Sequence, residues 1–339
     1  MKKITFVVPC YNSADYMGRC VDSLLKAGND TEIIIVNDGS SDDTGKIADK
    51  YMLEYPEIIR VIHKENGGHG SGVNAGLAQA KGLYFKVVDS DDWLEEEALK
   101  ELMEKIASFN KDDRVDLIIC NYVYNHLHEN KTKSMDFTKA LPEKGVFTWN
   151  DIKRFKVSEY LVMHAMIFKT EVLRESKVKL PEHTFYVDNL FTNWPLNYVN
   201  TIIYMNIDLY HYYLGREDQS VNSEVMMRRI DQQIKVTKLV LEKSDIYKAK
   251  EKSKKLADYL LRNVSIMLCI SDVHLLMIDD DASWDKRKEL WNFIKNYDKK
   301  IYYKLRFTHL AGLTYLPGKV LAKVTMYGYR KAKDIYEFS

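Results

Sequence analysis

The first 120 residues alternate short apolar runs with segments of helical periodicity, and this alternation limits the possible folds more than any other feature. The apolar runs are rich in Val and Ile, which is typical of strands buried on both faces of a sheet. The predicted strands are Ile4–Val8, Glu32–Val36, Ile58–Ile62, Leu83–Val88 and Asp116–Cys120. Strands that alternate with helices form right-handed βαβ units. The pattern therefore predicts an α/β fold with a Rossmann-like, mostly parallel sheet and flanking helices.

Composition and charge narrow the functional classes. The 339 residues carry 50 Lys and Arg against 49 Asp and Glu, a formal net charge of +1, so nothing favours a nucleic-acid partner. The four cysteines form no CxxC pair and no metal-ligand spacing, which is typical of reduced thiols in a cytoplasmic protein. The apolar stretch Leu260–Ile278 is interrupted by polar residues, and we expect a buried or amphipathic helix there rather than a membrane span.

Polar and Gly-rich loops follow four of the predicted strands, at the edge where open parallel sheets bind ligands. The ring of Tyr11 offers a flat face to a nucleobase, and Asp38 offers a carboxylate to a base or a ribose. Gly67 and Gly68 allow close approach of a ligand to the backbone. The chain contains neither GxxxxGK[ST] nor a strand-linked GxGxxG, which disfavours P-loop and dinucleotide sites. These loops predict a different kind of nucleoside-diphosphate site.

Three carboxylates follow the fourth predicted strand, and their mutual repulsion predicts a bound cation. Asp89 and Asp91 lie two residues apart and point to the same side of an extended segment. Hard oxygen ligands of this kind suit Mg²⁺ or Mn²⁺, which combine one or two carboxylates with phosphate oxygens and water. We therefore predict Asp91 and Asp89 as metal ligands. Asp92 is expected to begin or cap the helix predicted from Leu94.

Four segments, taken in order, resemble the family 2 glycosyltransferases of GT-A fold. The segments are VVPCYNSADYMGRCVDSLL, EIIIVNDGSSDDT, NGGHGSGVNAG and VVDSDDW. The resemblance implies a nucleotide-sugar donor, a divalent metal, inversion at the anomeric carbon and a bacterial source. Tyr11 and Asp38 would hold the base, usually uracil, and Asp89 would contact ribose or metal-bound water. The residues expected to bind the nucleotide-sugar are Pro9, Tyr11, Asp38, Asn66, Gly67, Gly68, Asp89, Ser90 and Arg216.

The same resemblance implies a catalytic base within Phe185–Phe191. Asp188 matches the aspartate of the family's Glu-Asp pair, whereas Val187 stands where the glutamate often is. The chemistry needs one carboxylate to accept the proton of the acceptor hydroxyl. A helix cap is the alternative role for Asp188. His69, in the Gly-rich loop, fits a phosphate or sugar contact as well as a structural role.

The predicted organisation is a GT-A domain over residues 1–218 and a C-terminal helical region over residues 219–339. Within the first domain, the nucleotide-sugar half covers about 1–120 and the acceptor half about 121–218. The short strands predicted in the acceptor half are Tyr122–Asn125, Leu161–Lys169, Ile202–Met205 and Leu209–Leu214. The last 39 residues hold seven Lys and Arg against two Asp and Glu, interleaved with aromatic residues. Such a tail fits peripheral contact with an anionic membrane, and it fits equally well an ordinary helical subdomain or a dimer contact.

The expected function is transfer of a single hexose or N-acetylhexosamine from a UDP-sugar to a glycan or lipid-linked acceptor, in bacterial cell-surface polysaccharide or glycoconjugate synthesis. Transfer of a single sugar is expected because the QxxRW motif of processive members is absent. Two alternatives stay open: a non-catalytic GT-A-like partner or scaffold, and a sugar nucleotidyltransferase, which usually begins with a Gly-rich basic loop. The expected location is the cytoplasm, at the inner face of the cell membrane if the tail contacts it.

Overall fold

The structure, a computed structural model, describes residues 2–111, 114–126, 131–156, 159–214, 223–316, 318 and 325–327. The chain divides into two compact units, Met1–Arg216 and Glu217–Ser339. The predicted domain boundary between residues 218 and 219 falls outside the described ranges and stays a prediction. Among the described residues, one helix, Lys254–Ile278, is long and apolar enough to cross a membrane, but 67% of its apolar window is buried, as in a core helix.

The first unit contains nine strands and six α-helices within its described ranges. The strands are β1 (Ile4–Cys10), β2 (Thr31–Asp38), β3 (Ile59–Lys64), β4 (Tyr84–Val87), β5 (Trp93–Leu94), β6 (Leu117–His126), β7 (Lys131–Met135), β8 (Met166–Lys169) and β9 (Ile202–Leu214). The helices are α1 (Met17–Leu25), α2 (Thr44–Glu54), α3 (His69–Gln79), α4 (Glu96–Ser108), α5 (Thr170–Ser176) and α6 (Asp188–Asn193). Two 3₁₀ turns, Met163–Ala165 and Trp194–Tyr198, precede β8 and follow α6.

The strands form one sheet in the order β3-β2-β1-β4-β8-β6-β9-β5, with β7 paired to β6. Strands β3, β2, β1 and β4 are parallel neighbours, as the alternating pattern predicts. Strand β8 runs antiparallel between β4 and β6, so β6 and β9 again point in the same direction as β4. The predicted α/β fold with a mostly parallel sheet, flanking helices and a C-terminal helical region is confirmed.

The central strands are apolar because helices cover both faces of the sheet. Every residue of β1, β2 and β4 is buried. Helix α3 packs so closely that a Cβ at Gly76 would lie 2.4 Å from Val7 Cγ1. This close packing requires the small residues of α3 and fixes its first turn at the ligand-binding edge of the sheet.

Two strands in the second half of the sheet, β6 and β9, are longer than predicted. Strand β6 runs unbroken through the two predicted strands Asp116–Cys120 and Tyr122–Asn125. Strand β9 likewise joins Ile202–Met205 to Leu209–Leu214 through a register shift against β6. Pairing with neighbouring strands extends each element across polar residues that interrupt the apolar pattern, so local periodicity underestimates strand length.

The second unit is helical throughout its described residues. Its helices are α7 (Ser223–Arg228), α8 (Ile230–Lys243), α9 (Ile246–Lys252), α10 (Lys254–Ile278), α11 (Asp281–Tyr297), α12 (Lys299–Thr308) and α13 (Ala311–Thr314). The expected buried helix at Leu260–Ile278 is the C-terminal part of α10, whose apolar side chains form the core of this unit.

A buried polar cluster joins α10, α11 and α13. Asp272 accepts hydrogen bonds from Trp291 Nε1 at 3.0 Å and Thr314 Oγ1 at 2.9 Å, and Arg287 Nε lies 3.4 Å from its other oxygen. Burial raises the pKa of Asp272 to about 6, although Arg287 and the hydrogen bonds act in the opposite direction. The folded unit therefore binds this proton more tightly than the unfolded chain does.

We predict that Asp272 makes the free energy of unfolding decrease as the pH rises from about 4 to about 6. Because the folded pKa lies above the usual 3.8, the stabilisation is present below about pH 4 and is lost through about pH 6, by about 3 kcal/mol. Urea unfolding at several pH values, followed by Trp fluorescence, should show this slope in the natural protein and not in Asp272→Asn. The exposed-carboxylate control Asp285→Asn should keep the slope; equal slopes in all three proteins would contradict the prediction.

Candidate active site

Hydrogen bonds between neighbouring loops build the carboxyl edge of the parallel strands. The backbone N–H of Asn12 donates to Ser40 Oγ at 3.0 Å, and Asn12 Oδ1 accepts from the N–H of Ser41 at 2.9 Å. The hydroxyls of Ser13 and Ser90 lie 2.8 Å apart, so the loops after β1 and β4 are also joined. Ser90, a predicted donor-binding residue, is buried in this contact and braces the two loops.

Asp38, at the end of β2, organises the Gly-rich loop before α3. Its carboxylate accepts hydrogen bonds from the N–H groups of Gly67 at 3.0 Å and Gly68 at 2.7 Å, and from Lys64 Nζ at 2.7 Å. Asn66 Nδ2 donates to the Asp38 carbonyl at 2.9 Å. The structure thus brings four predicted site residues together, but Asp38 is 3% exposed and its carboxylate is engaged by the protein.

Tyr11 and Pro9 lie at the end of β1 in contrasting environments. The side chain of Tyr11 is 55% exposed, which leaves its ring accessible to a ligand. Pro9 is buried, and a Cβ on Gly72 of α3 would lie 3.0 Å from the Pro9 Cβ. Tyr11 therefore has the exposure that a base-stacking residue needs, while Pro9 forms part of the floor beneath the loop.

Asp89 lies near the basic side chains of His69, His164 and Lys86. His69 Nε2, at the start of α3, is 2.8 Å from Asp89 Oδ1, and His164 Nδ1 is 4.0 Å from Oδ2. Burial acts to raise the pKa of Asp89, but His69, His164 and the nearby Lys86 outweigh it and lower the pKa. Asp89 is therefore held as a carboxylate, with His69 on one side and His164 on the other.

Lys86 is a fully buried lysine within β4. Its Nζ donates to the His164 carbonyl at 2.6 Å and lies 5.0 Å from the centre of the Tyr210 ring. Burial lowers the pKa of Lys86 to about 8, against the opposing effect of nearby acidic groups. The same burial lowers the pKa of His164 to about 4. His164 is therefore a neutral imidazole, the form that binds metals.

Asp92 is fully buried and bonded to β9. Tyr210 Oη donates to its Oδ2 at 2.5 Å, and the backbone N–H of Tyr213 donates to its Oδ1 at 2.8 Å. Burial and the charges of Asp91 and Asp89 raise its pKa well above the usual range, although these two hydrogen bonds act to lower it. Asp92 ties the loop after β4 to β9.

The expected role of Asp92 at the start of a helix is wrong. Helix α4 begins at Glu96, and the side chain of Glu95 caps it by accepting from the N–H of Ala98 at 2.6 Å. Trp93–Leu94, where the helix was expected to start, is instead strand β5 paired to β9. The partner strand is more than 100 residues away in sequence, and no local pattern reveals this pairing.

One group of side chains in the described part of the chain has the spacing of a metal site. One ligand atom each from Asp89, Asp92 and His164 lie within 4.8 Å of one another. His164 Nδ1 is buried without a hydrogen-bond partner, so a cation would satisfy it. Carboxylate oxygens with one imidazole suit Mn²⁺ or Mg²⁺. Asp89, a predicted ligand, belongs to this group; Asp91 does not, and its ligand role stays a prediction.

Asp188 lies at the first position of α6, beside His69. The N–H of His183 donates to the Gly67 carbonyl at 2.6 Å, which holds the segment before α6 against the Gly-rich loop. Burial raises the pKa of Asp188, and the charge of Asp89 adds to this, whereas His69 opposes it. The contacts of His183 with Gly67 and of Val187 with Gly70 place the start of α6, and with it Asp188, against the first turn of α3.

Val187, which replaces the usual glutamate, is 2% exposed. A Cβ on Gly70 would lie 3.2 Å from Val187 Cγ2 and 2.9 Å from Leu180 Cβ, so α3 packs tightly on this segment. A glutamate in this position would carry its charge into an apolar contact, which is costly. The departure from the family pattern thus has a packing reason, and the role of Asp188 as catalytic base stays a prediction.

Comparison with known proteins assigns the family. The sequence model described as "Glycosyl transferase family 2" matches residues 5–175, half of the chain. The protein belongs to glycosyl transferase family 2. EpsH of Bacillus subtilis (strain 168) is 30% identical over 225 residues, which are 62% of this chain and 60% of EpsH. The glycosyltransferase GlyG of Streptococcus pneumoniae is 41% identical over 125 residues, 36% of this chain and 40% of GlyG. The alignments thus span less than two thirds of either relative.

A solved structure agrees with the fold. The crystal structure of residues 1–349 of S. aureus TarS in complex with UDP-GlcNAc superposes with a TM-score of 0.68 and 20% identity. The match covers 97% of this chain and 92% of that one. The GT-A fold expected from the four sequence segments is therefore confirmed.

One predicted residue of the candidate site is not described, and one side chain at the site is not predicted by the sequence. Arg216, which is expected to bind the nucleotide-sugar, lies outside the described residues and stays a prediction. Arg19 was not expected at the site, yet its Nη2 donates to the Asp91 carbonyl at 2.8 Å and its guanidinium lies 3.9 Å from the centre of the Trp93 ring. Helical periodicity places Arg19 on the polar face of α1 and does not reveal that this face meets the loop after β4.

We predict that Asp38→Ala destabilises the protein by about 3 kcal/mol, because it leaves two loop N–H groups and Lys64 without their shared acceptor. Asp43→Ala is the matched control: Asp43 also bonds a lysine, at 2.7 Å, but both side chains are exposed, so the cost should stay below about 1 kcal/mol. Urea unfolding measures both, and hydrogen exchange at Gly67 and Gly68 should accelerate only in Asp38→Ala. An equal loss in the free energy of unfolding for the two variants would show that the hydrogen bonds of the Asp38 carboxylate do not stabilise the protein.

Proposed function

We propose that this protein is an inverting glycosyltransferase that moves one hexose or N-acetylhexosamine from a UDP-sugar to a carbohydrate or lipid-linked acceptor. The observation that carries the proposal is the meeting of His69 and His164 at Asp89, together with the packing of the start of α6, which bears Asp188, on the first turn of α3. A diphosphate, a cation and a general base are the elements of such a transfer.

Asp188 is the proposed general base. Its raised pKa, which comes mainly from burial, makes its carboxylate a better proton acceptor than an exposed aspartate. It would take the proton of the acceptor hydroxyl as that oxygen forms a bond to the anomeric carbon. The bond from this carbon to the diphosphate oxygen breaks in the same displacement, and UDP departs. Attack from the face opposite the diphosphate inverts the anomeric centre and requires no enzyme nucleophile.

His69 is proposed to orient Asp89 and to moderate the negative charge of this edge. Burial acts to lower the pKa of His69, but Asp89, Asp188 and Asp91 outweigh it and raise the pKa. Its hydrogen bond to Asp89 Oδ1 leaves Oδ2 on the side of His164. His69 is the first residue of α3, so its partner Asp89 lies near a helix N-terminus, where negative groups are stabilised.

Asp89 and His164 are the side chains proposed to hold Mn²⁺ or Mg²⁺, with Asp91 as the further ligand expected from the sequence. When bound, such a cation offsets the negative charge on the departing diphosphate. Asp92 is the weaker candidate of the cluster because both of its oxygens already accept hydrogen bonds from β9.

The proposal of a UDP donor rests on Tyr11 and on the TarS comparison. The exposed ring of Tyr11 at the end of β1 is suited to stack on a base. The complexes of TarS contain UDP-GlcNAc and UDP. Synthesis of a bacterial surface polysaccharide or glycoconjugate is the proposed setting, since glycosyltransferases of this family occur in bacteria such as Streptococcus pneumoniae.

The first experiment is a panel of UDP-, GDP- and dTDP-sugars tested by calorimetry and nucleotide release. We expect one UDP-sugar to bind and turn over with Mn²⁺ or Mg²⁺, and removal of the metal with EDTA to abolish turnover. Restored turnover on adding metal back is the control for damage by the chelator. Binding of none of these donors would overturn the proposal and favour a non-catalytic GT-A-like scaffold.

We predict that Asp188→Asn lowers the transfer rate by about 10²–10⁴-fold, because the amide cannot accept the hydroxyl proton. UDP binding, measured by calorimetry, should stay within a few-fold of the natural protein. Asp91→Asn should instead weaken metal-dependent donor binding, and the exposed control Asp43→Asn should change neither property. Full transfer activity in Asp188→Asn would remove Asp188 from the role of base.

A further inference from the structure

The segment from Lys299 to Leu316 in the second unit has an unusual charge composition. Its 18 residues contain three Lys and one Arg but no Asp or Glu. The chain as a whole is nearly neutral, at +1, so this concentration of one sign of charge is local. The segment includes α12 and α13, which pack against each other.

Helix α12 has one buried face and one exposed face. Ile301 and Leu305 are buried and attach the helix to its unit. The opposite face contains Lys300, Tyr303, Lys304 and Phe307, which follow the i, i+3, i+4, i+7 spacing of a single helical stripe. All four of these side chains are exposed. We call them the α12 stripe.

The stripe exposes large apolar side chains to solvent. Phe307 is 72% exposed and Tyr303 is 53% exposed, and their rings stack with centroids 6.1 Å apart. Leu310 and Leu313, just beyond the helix, are also exposed. Two stacked exposed rings, followed in the sequence by two exposed leucines, differ from the single exposed apolar residues that are normal for soluble proteins.

Positive charge is interleaved with these rings. Lys304 lies 3.6 Å from Asp258, but both side chains are more than half exposed, so this ion pair is weak and screened by salt. An aromatic surface interleaved with lysines matches a bilayer interface, where rings insert at the headgroup level and lysines meet anionic phosphates. A second copy of the same stripe fits less well, because a symmetric contact would bring like charges together.

We propose that the α12 stripe docks this protein on an anionic phospholipid bilayer. The rings of Tyr303 and Phe307 insert between headgroups, while Lys300 and Lys304 contact lipid phosphates. In a cytoplasmic protein the bilayer is the inner face of the cell membrane. This surface lies in the second unit and uses none of the candidate active-site residues, so it stands or falls separately from the proposed sugar transfer. Three of its four residues, Tyr303, Lys304 and Phe307, belong to the basic aromatic tail expected from the sequence, residues 301–339, of which 319–324 and 328–339 lie outside the described residues.

Vesicle flotation of the full chain tests the proposal. Vesicles of phosphatidylcholine alone are compared with vesicles of equal parts phosphatidylcholine and phosphatidylglycerol. We expect the natural protein to float with the anionic vesicles at low salt and to be released at high salt, because screening shortens the reach of the lysines. Tyr303→Ser/Phe307→Ser and Lys300→Glu/Lys304→Glu should each lower binding at least about tenfold.

Matched variants separate the stripe from general changes in hydrophobicity and charge. Leu53→Ser/Val146→Ser removes two exposed apolar side chains from the first unit, and Lys46→Glu/Lys50→Glu inverts two exposed lysines there. Both controls should float like the natural protein, and circular dichroism should show that all variants are folded.

Three outcomes would overturn the proposal. The natural protein could fail to float with anionic vesicles at low salt. The stripe variants could float like the natural protein, which would assign membrane binding to another part of the chain, such as the basic residues after Leu316, which every variant keeps. The stripe variants could change the oligomeric state in light scattering without changing flotation, which would assign the stripe to contact between copies of the chain.

Discussion

Crowding of three carboxylates at the end of β4 is the physical constraint on which the candidate site depends. Asp89, Asp91 and Asp92 occupy three of four consecutive positions, and Ser90 occupies the other. Like charges this close repel strongly when water is excluded, so each needs a separate partner. Asp89 is paired with His69, and Asp92 is bonded to Tyr210 and a backbone N–H of β9. The arrangement of the surrounding elements follows from supplying these partners.

The loops on the other side of the edge are held by a second carboxylate. The Asp38 carboxylate accepts hydrogen bonds from the N–H groups of Gly67 and Gly68 and from the ammonium of Lys64. These bonds hold the Gly-rich loop and position the start of α3. Because α3 begins with His69, the same loop delivers the partner of Asp89. Asp38 and Asp89 are thus linked through one short segment, Gly67–His69.

The antiparallel strand β8 lies between the parallel strands β4 and β6 and changes what surrounds the end of β4. An uninterrupted parallel order would place β6 beside β4; instead β8 lies between them, preceded by the 3₁₀ turn that contains His164. This brings the His164 imidazole next to the carboxylates after β4, and the His164 carbonyl accepts a hydrogen bond from the buried Lys86 of β4. The cost of burying Lys86 is offset by its hydrogen bond and by the nearby acidic groups, so the positive charge serves the site as well as the sheet.

The sequence by itself determined the alternation of strands and helices, the loops that carry Tyr11, Asp38, Asp89 and Asp188, and membership of the family. These features depend on local periodicity and on short motifs, which a linear reading detects. Only the tertiary structure decided that Asp92 is buried against Tyr210, 118 positions away, rather than at a helix start. It also decided that His164 approaches Asp89 and that Asp38 is engaged by the glycine loop. The free energy of burying a charge depends on which distant strand supplies its partner, and no local pattern contains that information.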